Sequence, residues 1–183
     1  MYANSITNNF LRTIILLLLI SLKIIYAQEK CNLLIDEKTG SPMLTGLVDK
    51  KVFLDTSEYK PFSNWFRKEY ESYNADSIIV DSLKNLNLEN ITIDVIMGTW
   101  CSDSRREIPR LIKILDAIKF SSKNLKIICV DRNKNAGKID LSNYDIKLIP
   151  TVVIKRNEKE LGRIVETPVM SLEKDLSRII NQY

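Results

Sequence analysis

The spacing of hydrophobic residues changes several times along the chain, and each change predicts a new element. From Pro61 to Tyr73 aromatic residues recur every three or four positions, which predicts a helix that packs one face on the core. The same spacing returns from Asp76 to Leu86 and predicts a second helix. Ile91 to Met97 is instead a mostly apolar run rich in β-branched residues, which indicates a buried strand.

The second half of the chain predicts a strand, a helix and a strand, followed by a hairpin. Helical spacing covers Arg105 to Phe120, and Leu125 to Val130 is typical of a second buried strand, so we expect parallel strands joined by a crossover helix. Arg156 to Lys159 fits the turn of an antiparallel hairpin. The remaining predicted elements are a short helix in 137–144, strands at 151–155 and 161–165, and a helix at 171–180. The predicted class is α/β, with a central mixed sheet flanked by helices.

The first 27 residues predict an export signal. Arg12 precedes an apolar run, Ile14 to Leu22, which is too short for a comfortable transmembrane helix. Ala27 supplies a small residue for cleavage. Residues 1–27 are therefore expected to be a signal peptide or an uncleaved anchor, with membrane contact only through this segment if it is uncleaved. Either outcome places the body of the protein outside the cytoplasm, in the periplasm or cell envelope.

Beyond the leader we predict two parts. Residues 28–75 form an N-terminal extension that contains a hairpin or extended arm between Asn32 and Asp55 and the aromatic helix. Residues 76–183 form the main domain.

Composition narrows the possible chemistry. The net charge of +4 is small and the basic residues are not clustered, so nucleic acid is not expected as a partner. The absence of histidine removes the commonest general base and metal ligand, and neither a metal nor another cofactor is expected. The three cysteines, Cys31, Cys101 and Cys129, cannot all pair within the chain.

Cys101 is the strongest candidate for chemistry. It follows the predicted buried strand and opens the next helix, where backbone N–H groups and the helix dipole stabilise a thiolate. Arg105, one helical turn later, adds to this effect, and Asp103 opposes it. Arg105 and Arg106 either attract an acidic substrate or form an exposed helix start.

Three features in order resemble the thioredoxin family: Trp100-Cys101 after a strand, Pro109 in the helix, and Ile149-Pro150-Thr151 before a later strand. The resemblance implies a thioredoxin fold from about Ile78 onward, with Cys101 as the nucleophile. It also implies a cis bond before Pro150 and an extended substrate that contacts Trp100, Ile149, Pro150 and Thr151. The stretches Met97–Cys101 and Gly162–Glu166 look like uncharacterised secreted bacterial members with a monothiol Trp-Cys-x-Asp-Ser motif.

The chain departs from the family at three positions. Ser104 stands where the family has its resolving cysteine, so release of a mixed disulfide requires an external thiol or another cysteine of the chain. Val95 and Ile127 stand where the family has a buried acid and a buried lysine. Asp94, next to Val95, is expected to point to the opposite face of the strand.

Two side chains near the nucleophile keep alternative interpretations. Ser104 either donates to the Cys101 thiolate, as a second catalytic residue, or caps the helix together with Glu107. Cys129 is either a core packing residue or a concealed resolving thiol.

Two functions from different classes remain. The first is monothiol exchange through Cys101 with protein or low-molecular-weight thiols and disulfides. The second is a redox-inactive module that binds an extended client peptide. A peroxide-reducing enzyme is weaker, because such enzymes place a threonine where this chain has Gly98.

Overall fold

The structure is a computed structural model that describes residues 31–54 and 60–181. Within these ranges the strands are β1 (Asn32–Ile35), β2 (Pro42–Val48), β3 (Ile91–Met97), β4 (Leu125–Cys129), β5 (Thr151–Arg156) and β6 (Lys159–Val165). The helices are α1 (Lys51–Leu54), α2 (Lys60–Ser72), α3 (Ser77–Lys84), α4 (Ser102–Ala117) and α5 (Leu172–Asn181). Short 3₁₀ turns occupy Ser122–Asn124 and Ser142–Tyr144. The predicted leader lies outside the described residues.

The strands form one mixed sheet in the order β1-β2-β4-β3-β5-β6. β3 and β4 are parallel and are joined through α4, which confirms the predicted crossover. The other neighbouring pairs are antiparallel. Asn157 and Glu158 join β5 to β6 with φ angles of 50° and 63°, the sign that a type I′ hairpin turn requires.

Alternation along β3 divides the core into two clusters. Val95 and Met97 point into a large cluster with the apolar faces of α2 to α5. Ile96 points the other way and packs with Ile128 and Ile149, under the segment that connects β4 to β5. The two clusters therefore cover opposite faces of the sheet.

The connection between β4 and β5 differs from its prediction as a short helix. Only the 3₁₀ turn Ser142–Tyr144 is helical within 137–144. Gly137 at one end and Asp145 at the other have φ angles of 67° and 46°, which are left-handed conformations that end regular helical structure.

The segment that the sequence set apart as an extension contributes to the same sheet and core from Cys31 onward. β1 and β2 form the expected hairpin, and β2 then pairs with β4 through Gly46 to Val48. The aromatic residues of α2 pack on the core as expected, with the rings of Phe53 and Phe66 stacked 5.2 Å apart. This arrangement follows from burial, because β2 and α2 supply apolar side chains that cover the helical face of the sheet.

No described helix is long and apolar enough to cross a membrane.

Candidate functional site

Cys101 lies where the chain leaves β3 and enters α4. It is the N-cap residue, and its carbonyl accepts from the Arg105 amide at 3.0 Å. α4 therefore begins at Ser102, so Cys101 opens the helix as predicted, three residues before the stretch of helical spacing that begins at Arg105. The Cys101 thiol is partly exposed, and its Sγ donates to the Ile149 carbonyl oxygen at 3.5 Å. A nucleophilic atom thus lies at a helix N-terminus and beside the backbone of a second loop.

That second loop contains the predicted proline. The Ile149–Pro150 peptide bond is cis, the conformation that the resemblance implies. Thr151 Oγ1 donates to the Leu148 carbonyl at 2.7 Å, and the Pro150 carbonyl accepts from the Glu166 amide at 2.7 Å. These bonds fix the loop on both sides of the proline, so Cys101, Ile149 and Pro150 meet at one end of the sheet.

Trp100 packs over the end of β4. Its indole Nε1 donates to the Val130 carbonyl at 2.9 Å. The ring lies so close to Gly98 that an added Cβ there would come within 2.8 Å of the indole and 2.9 Å of Ile149 Cδ1. Gly98 is therefore the residue that lets Trp100 and Ile149 approach the turn before Cys101.

Ser104 makes a contact different from both of its predicted ones. Because α4 begins at Ser102, Ser104 lies inside the first turn and is not the helix cap. Its side chain is fully buried, and its Oγ accepts from the Gly98 amide at 3.2 Å. The hydroxyl therefore braces the turn that carries Trp100 and Cys101, and the hydrogen bond described for it is not one to the thiol.

The charged residues at the start of α4 are engaged with protein groups. Arg105 Nε donates to the Thr99 carbonyl at 2.5 Å, and its guanidinium lies over the Trp65 ring. Asp103 pairs with Arg106 at 2.8 Å, and Arg106 also bonds Glu107 at 2.6 Å. The negative charge expected to oppose a thiolate is thus balanced by a neighbouring arginine.

A charge pair that the sequence analysis did not single out lies on the other side of Trp100. Arg132 donates to both carboxylate oxygens of Asp36, at 2.7 and 2.8 Å, and its guanidinium is 4.6 Å from the Trp100 ring centroid. The hydrogen bond from Arg132 holds the pKa of Asp36 well below its usual range. The sequence contains one signal that Arg132 lies near the site, because Arg132 follows a strand that ends at the same sheet edge as Cys101.

The positions beneath the site hold no ionisable pair. Val95 and Ile127 are buried in the helical cluster. Asp94 points to the opposite face, as predicted, where its carboxylate accepts from Lys155 Nζ at 2.6 Å and from the Tyr144 hydroxyl at 2.9 Å. This carboxylate is committed to a structural network in the middle of β3.

Cys129 is a packing residue. It is fully buried in the helical cluster, whereas Cys101 packs against the cluster on the other face. Burial, together with the charge of Cys31, raises the pKa of the Cys129 thiol far above its usual value. Cys129 is therefore neither oriented nor ionised to resolve a disulfide on Cys101.

Over residues 31–54 and 60–181, no group of three or more cysteine, aspartate or glutamate side chains could hold a metal ion.

Comparison with known proteins finds similar solved structures but no matching sequence family. No protein-family model matches the chain, and no curated protein matches it. A Pseudomonas aeruginosa protein of unknown function is 18% identical, with 70% of this chain and 86% of that chain covered and a TM-score of 0.47. A thioredoxin variant from Halobacterium salinarum is 14% identical, with 60% and 86% covered and a TM-score of 0.35.

A third solved structure, an HIV epitope-scaffold, is 18% identical, with 74% of this chain and 93% of that chain covered and a TM-score of 0.52. Sequence identities this low indicate a similarity of fold and nothing further. The chain itself combines a mixed sheet, a parallel β3-α4-β4 unit, a closing β5-β6 hairpin and a final helix. It has a thioredoxin-like fold.

Proposed function

We propose that this chain is an extracytoplasmic thioredoxin-family protein that performs thiol–disulfide exchange through one thiol, Cys101. The observation that carries the proposal is the placement of Cys101 Sγ at the N-terminus of α4 and 3.5 Å from the Ile149 carbonyl, beside the cis bond to Pro150. A thiolate at a helix N-terminus is stabilised by the helix dipole and by unpaired backbone amides.

The reaction proceeds in two thiol–disulfide exchange steps. The Cys101 thiolate attacks one sulfur of a substrate disulfide, a bond forms between that sulfur and Cys101, and the second substrate sulfur leaves as a thiolate. An external thiolate then attacks the substrate sulfur of the mixed disulfide and restores the Cys101 thiolate. The chain undergoes no net oxidation, and the external thiol supplies the sulfur that completes the cycle.

Release by an external thiol is proposed because the chain offers no suitable second thiol at the site. Ser104 occupies the resolving position and is buried against the Gly98 amide. Cys129 lies in the cluster on the other face of the sheet. Cys31 packs against that same cluster, so neither of the other two cysteines lies beside a mixed disulfide on Cys101.

The surface beside the cis proline fits protein or small disulfide substrates. Leu148 is 48% exposed next to Ile149, and Val165, which pairs with Thr151, is 37% exposed. An extended peptide can lie along this apolar surface with its disulfide at Cys101.

The test is turnover of a glutathione-modified peptide by the full chain, with free glutathione as the external thiol. Cys101→Ser is expected to reduce release of the peptide thiol to the uncatalysed rate. Cys31→Ser is the matched control and retains turnover. A Cys101→Ser protein with full activity would overturn the proposal.

A second candidate function is client binding without redox chemistry. The exposed apolar residues near Pro150 and the absence of an ionisable pair at Val95 and Ile127 favour it. Under this alternative, capture of an extended client persists in Cys101→Ser and is lost when Leu148 or the Pro150 loop is altered. The exchange proposal predicts that covalent capture disappears in Cys101→Ser.

The extracytoplasmic location is proposed from Arg12, the apolar run that follows it and Ala27. N-terminal sequencing of the protein recovered from the cell envelope tests it. A mature chain that begins at Gln28 supports export and cleavage, and recovery from the cytoplasm alone contradicts the location.

A further inference from the structure

The Arg132 guanidinium is fixed by contacts on two sides. One side is the face of the Trp100 indole, 4.6 Å from the guanidinium carbon to the ring centroid. Along the edge of the guanidinium, Nε and Nη2 donate to the two carboxylate oxygens of Asp36 at 2.7 and 2.8 Å. A bidentate pair on an aromatic face is a geometry that arginine forms and lysine does not reproduce.

Asp36 is itself held in place by the turn between β1 and β2. Its carboxylate accepts from the Thr39 hydroxyl at 2.7 Å and from the Lys38 amide at 3.2 Å. Its backbone carbonyl accepts from the Thr39 and Gly40 amides. The residue is 1% exposed, so the anchor for Arg132 is rigid and shielded from water.

Trp100 links the Arg132 guanidinium to Cys101. The hydrogen bond to Asp36 raises the pKa of Arg132, burial lowers it, and the charge of Asp36 and the proximity of Cys101 raise it further. The indole on which Arg132 stacks belongs to the residue just before Cys101, whose Sγ donates to the Ile149 carbonyl. At the start of α4, Arg105 donates to the neutral Thr99 carbonyl, and Asp103 is paired with Arg106.

We propose that Arg132 is a positioning residue for Cys101, held by Asp36 so that its guanidinium fixes the Trp100 indole and presents positive charge to the thiolate. The proposal rests on the proposed exchange function and adds the β1–β2 turn to the site. It gives Asp36 of the N-terminal hairpin, 65 residues before Cys101 in sequence, a direct part in the chemistry.

The test compares alkylation of Cys101 by two reagents, neutral iodoacetamide and anionic iodoacetate, in the full chain at one pH and low salt. Peptide mass spectrometry reads the Cys101 adduct separately from Cys31 and Cys129. Arg132→Gln is expected to lower the ratio of the iodoacetate rate to the iodoacetamide rate by about two- to fivefold, the size of one unit charge acting through a partly hydrated site. Arg132→Lys keeps the charge but not the bidentate pair with Asp36, and is expected to restore part of the ratio.

The matched control is Lys134→Gln, which removes the same charge from an exposed residue two positions along the same loop and leaves the ratio unchanged. A fall in both rates by the same factor in Arg132→Gln and Arg132→Lys shows that Arg132 only packs against Trp100, and overturns the proposal. An equal ratio change in Lys134→Gln also overturns it, since the effect then belongs to the net charge.

A measurement on the unmodified chain applies even if Arg132→Gln does not fold. The reagent ratio is expected to fall as salt rises to roughly 1 M, because the charge beside the thiol is then screened. A ratio that is independent of salt contradicts the proposal. Alkylation needs no turnover, so a chain that shows the charge effect but no disulfide exchange refutes the proposed function and not the role of Arg132.

Discussion

Two small residues determine how the reactive thiol is presented. Gly98 lies under the Trp100 indole and the Ile149 side chain, with room for no further atom. Ser104 reaches back from the first turn of α4 and accepts from the Gly98 amide. The turn that carries Cys101 is therefore held by the Trp100 and Ile149 side chains and by the Ser104 hydroxyl.

Gly98→Ala tests this packing. The added methyl group has to displace a rigid indole or Ile149, and overpacking of this kind costs about 1–3 kcal/mol of unfolding free energy. We expect a lower urea midpoint and at least a tenfold slower exchange through Cys101, because the residues beside the thiol move. Gly162→Ala is the control, since its Cβ would contact Ile179 in the core and not the site. Unchanged exchange in Gly98→Ala would show that the Trp100 packing is not required.

Ser104→Cys tests whether the missing resolving thiol is what makes the protein monothiol. In a Cys31→Ser background, 5,5′-dithiobis(2-nitrobenzoate) is expected to release about one thionitrobenzoate from the parent and about two from Ser104→Cys, because the second thiol attacks the first adduct. Mass spectrometry then shows an internal disulfide and no retained adduct. Retention of the adduct in Ser104→Cys would mean that position 104 cannot reach Cys101.

At the scale of elements, local patterns predicted most of the fold and long-range pairing supplied the rest. Ile91 to Met97 matches β3, and the β5–β6 turn lies at the predicted residues, because hydrophobic period and turn chemistry are local properties. The pairing of Gly46 to Val48 with β4 joins segments about 80 residues apart in sequence, and no local pattern encodes it. For the same reason the sequence did not predict Asp36 as part of the site, since its partner Arg132 is 96 residues away.

Glu158→Gly tests the β5–β6 turn. Glu158 has a φ angle of 63°, which costs a residue with a side chain more than it costs glycine, and Asn-Gly is the preferred type I′ pair. We expect about 0.5–1 kcal/mol of added stability by urea unfolding. Glu158→Ala removes the same carboxylate without freeing the backbone and is not expected to stabilise. Equal gains in both variants would assign the effect to charge and not to turn geometry.

At the scale of the whole molecule, carboxylates bound to arginines couple stability to pH. Hydrogen bonds from Arg132 and Arg163 lower the pKa values of Asp36 and Glu160. A group whose pKa is lowered on folding stabilises the folded state above its ordinary pKa, and this contribution is lost as the pH falls. The free energy of unfolding is therefore expected to fall in acid, as these carboxylates are protonated.

Asp36→Asn removes the carboxylate whose pKa is lowered the most. At pH 7 the wild-type chain is expected to be more stable, because the charged pair with Arg132 is intact. The difference shrinks as the pH falls below 3.8, the ordinary pKa of the carboxyl, where the unfolded wild-type chain binds a proton. Urea unfolding of both proteins across this range measures it. A difference that does not change with pH would assign the loss to packing.

The central claim is that Cys101 forms one mixed disulfide that the chain cannot resolve by itself. Intact-mass spectrometry of the full chain after incubation with glutathione disulfide, followed by removal of excess reagent, tests it directly. With any adduct on Cys31 read separately by peptide mapping, we expect one glutathione adduct on Cys101 that persists until an external thiol is added and is absent at this position in Cys101→Ser. Loss of the adduct without added thiol, or its absence from Cys101 in the wild-type chain, would contradict the account.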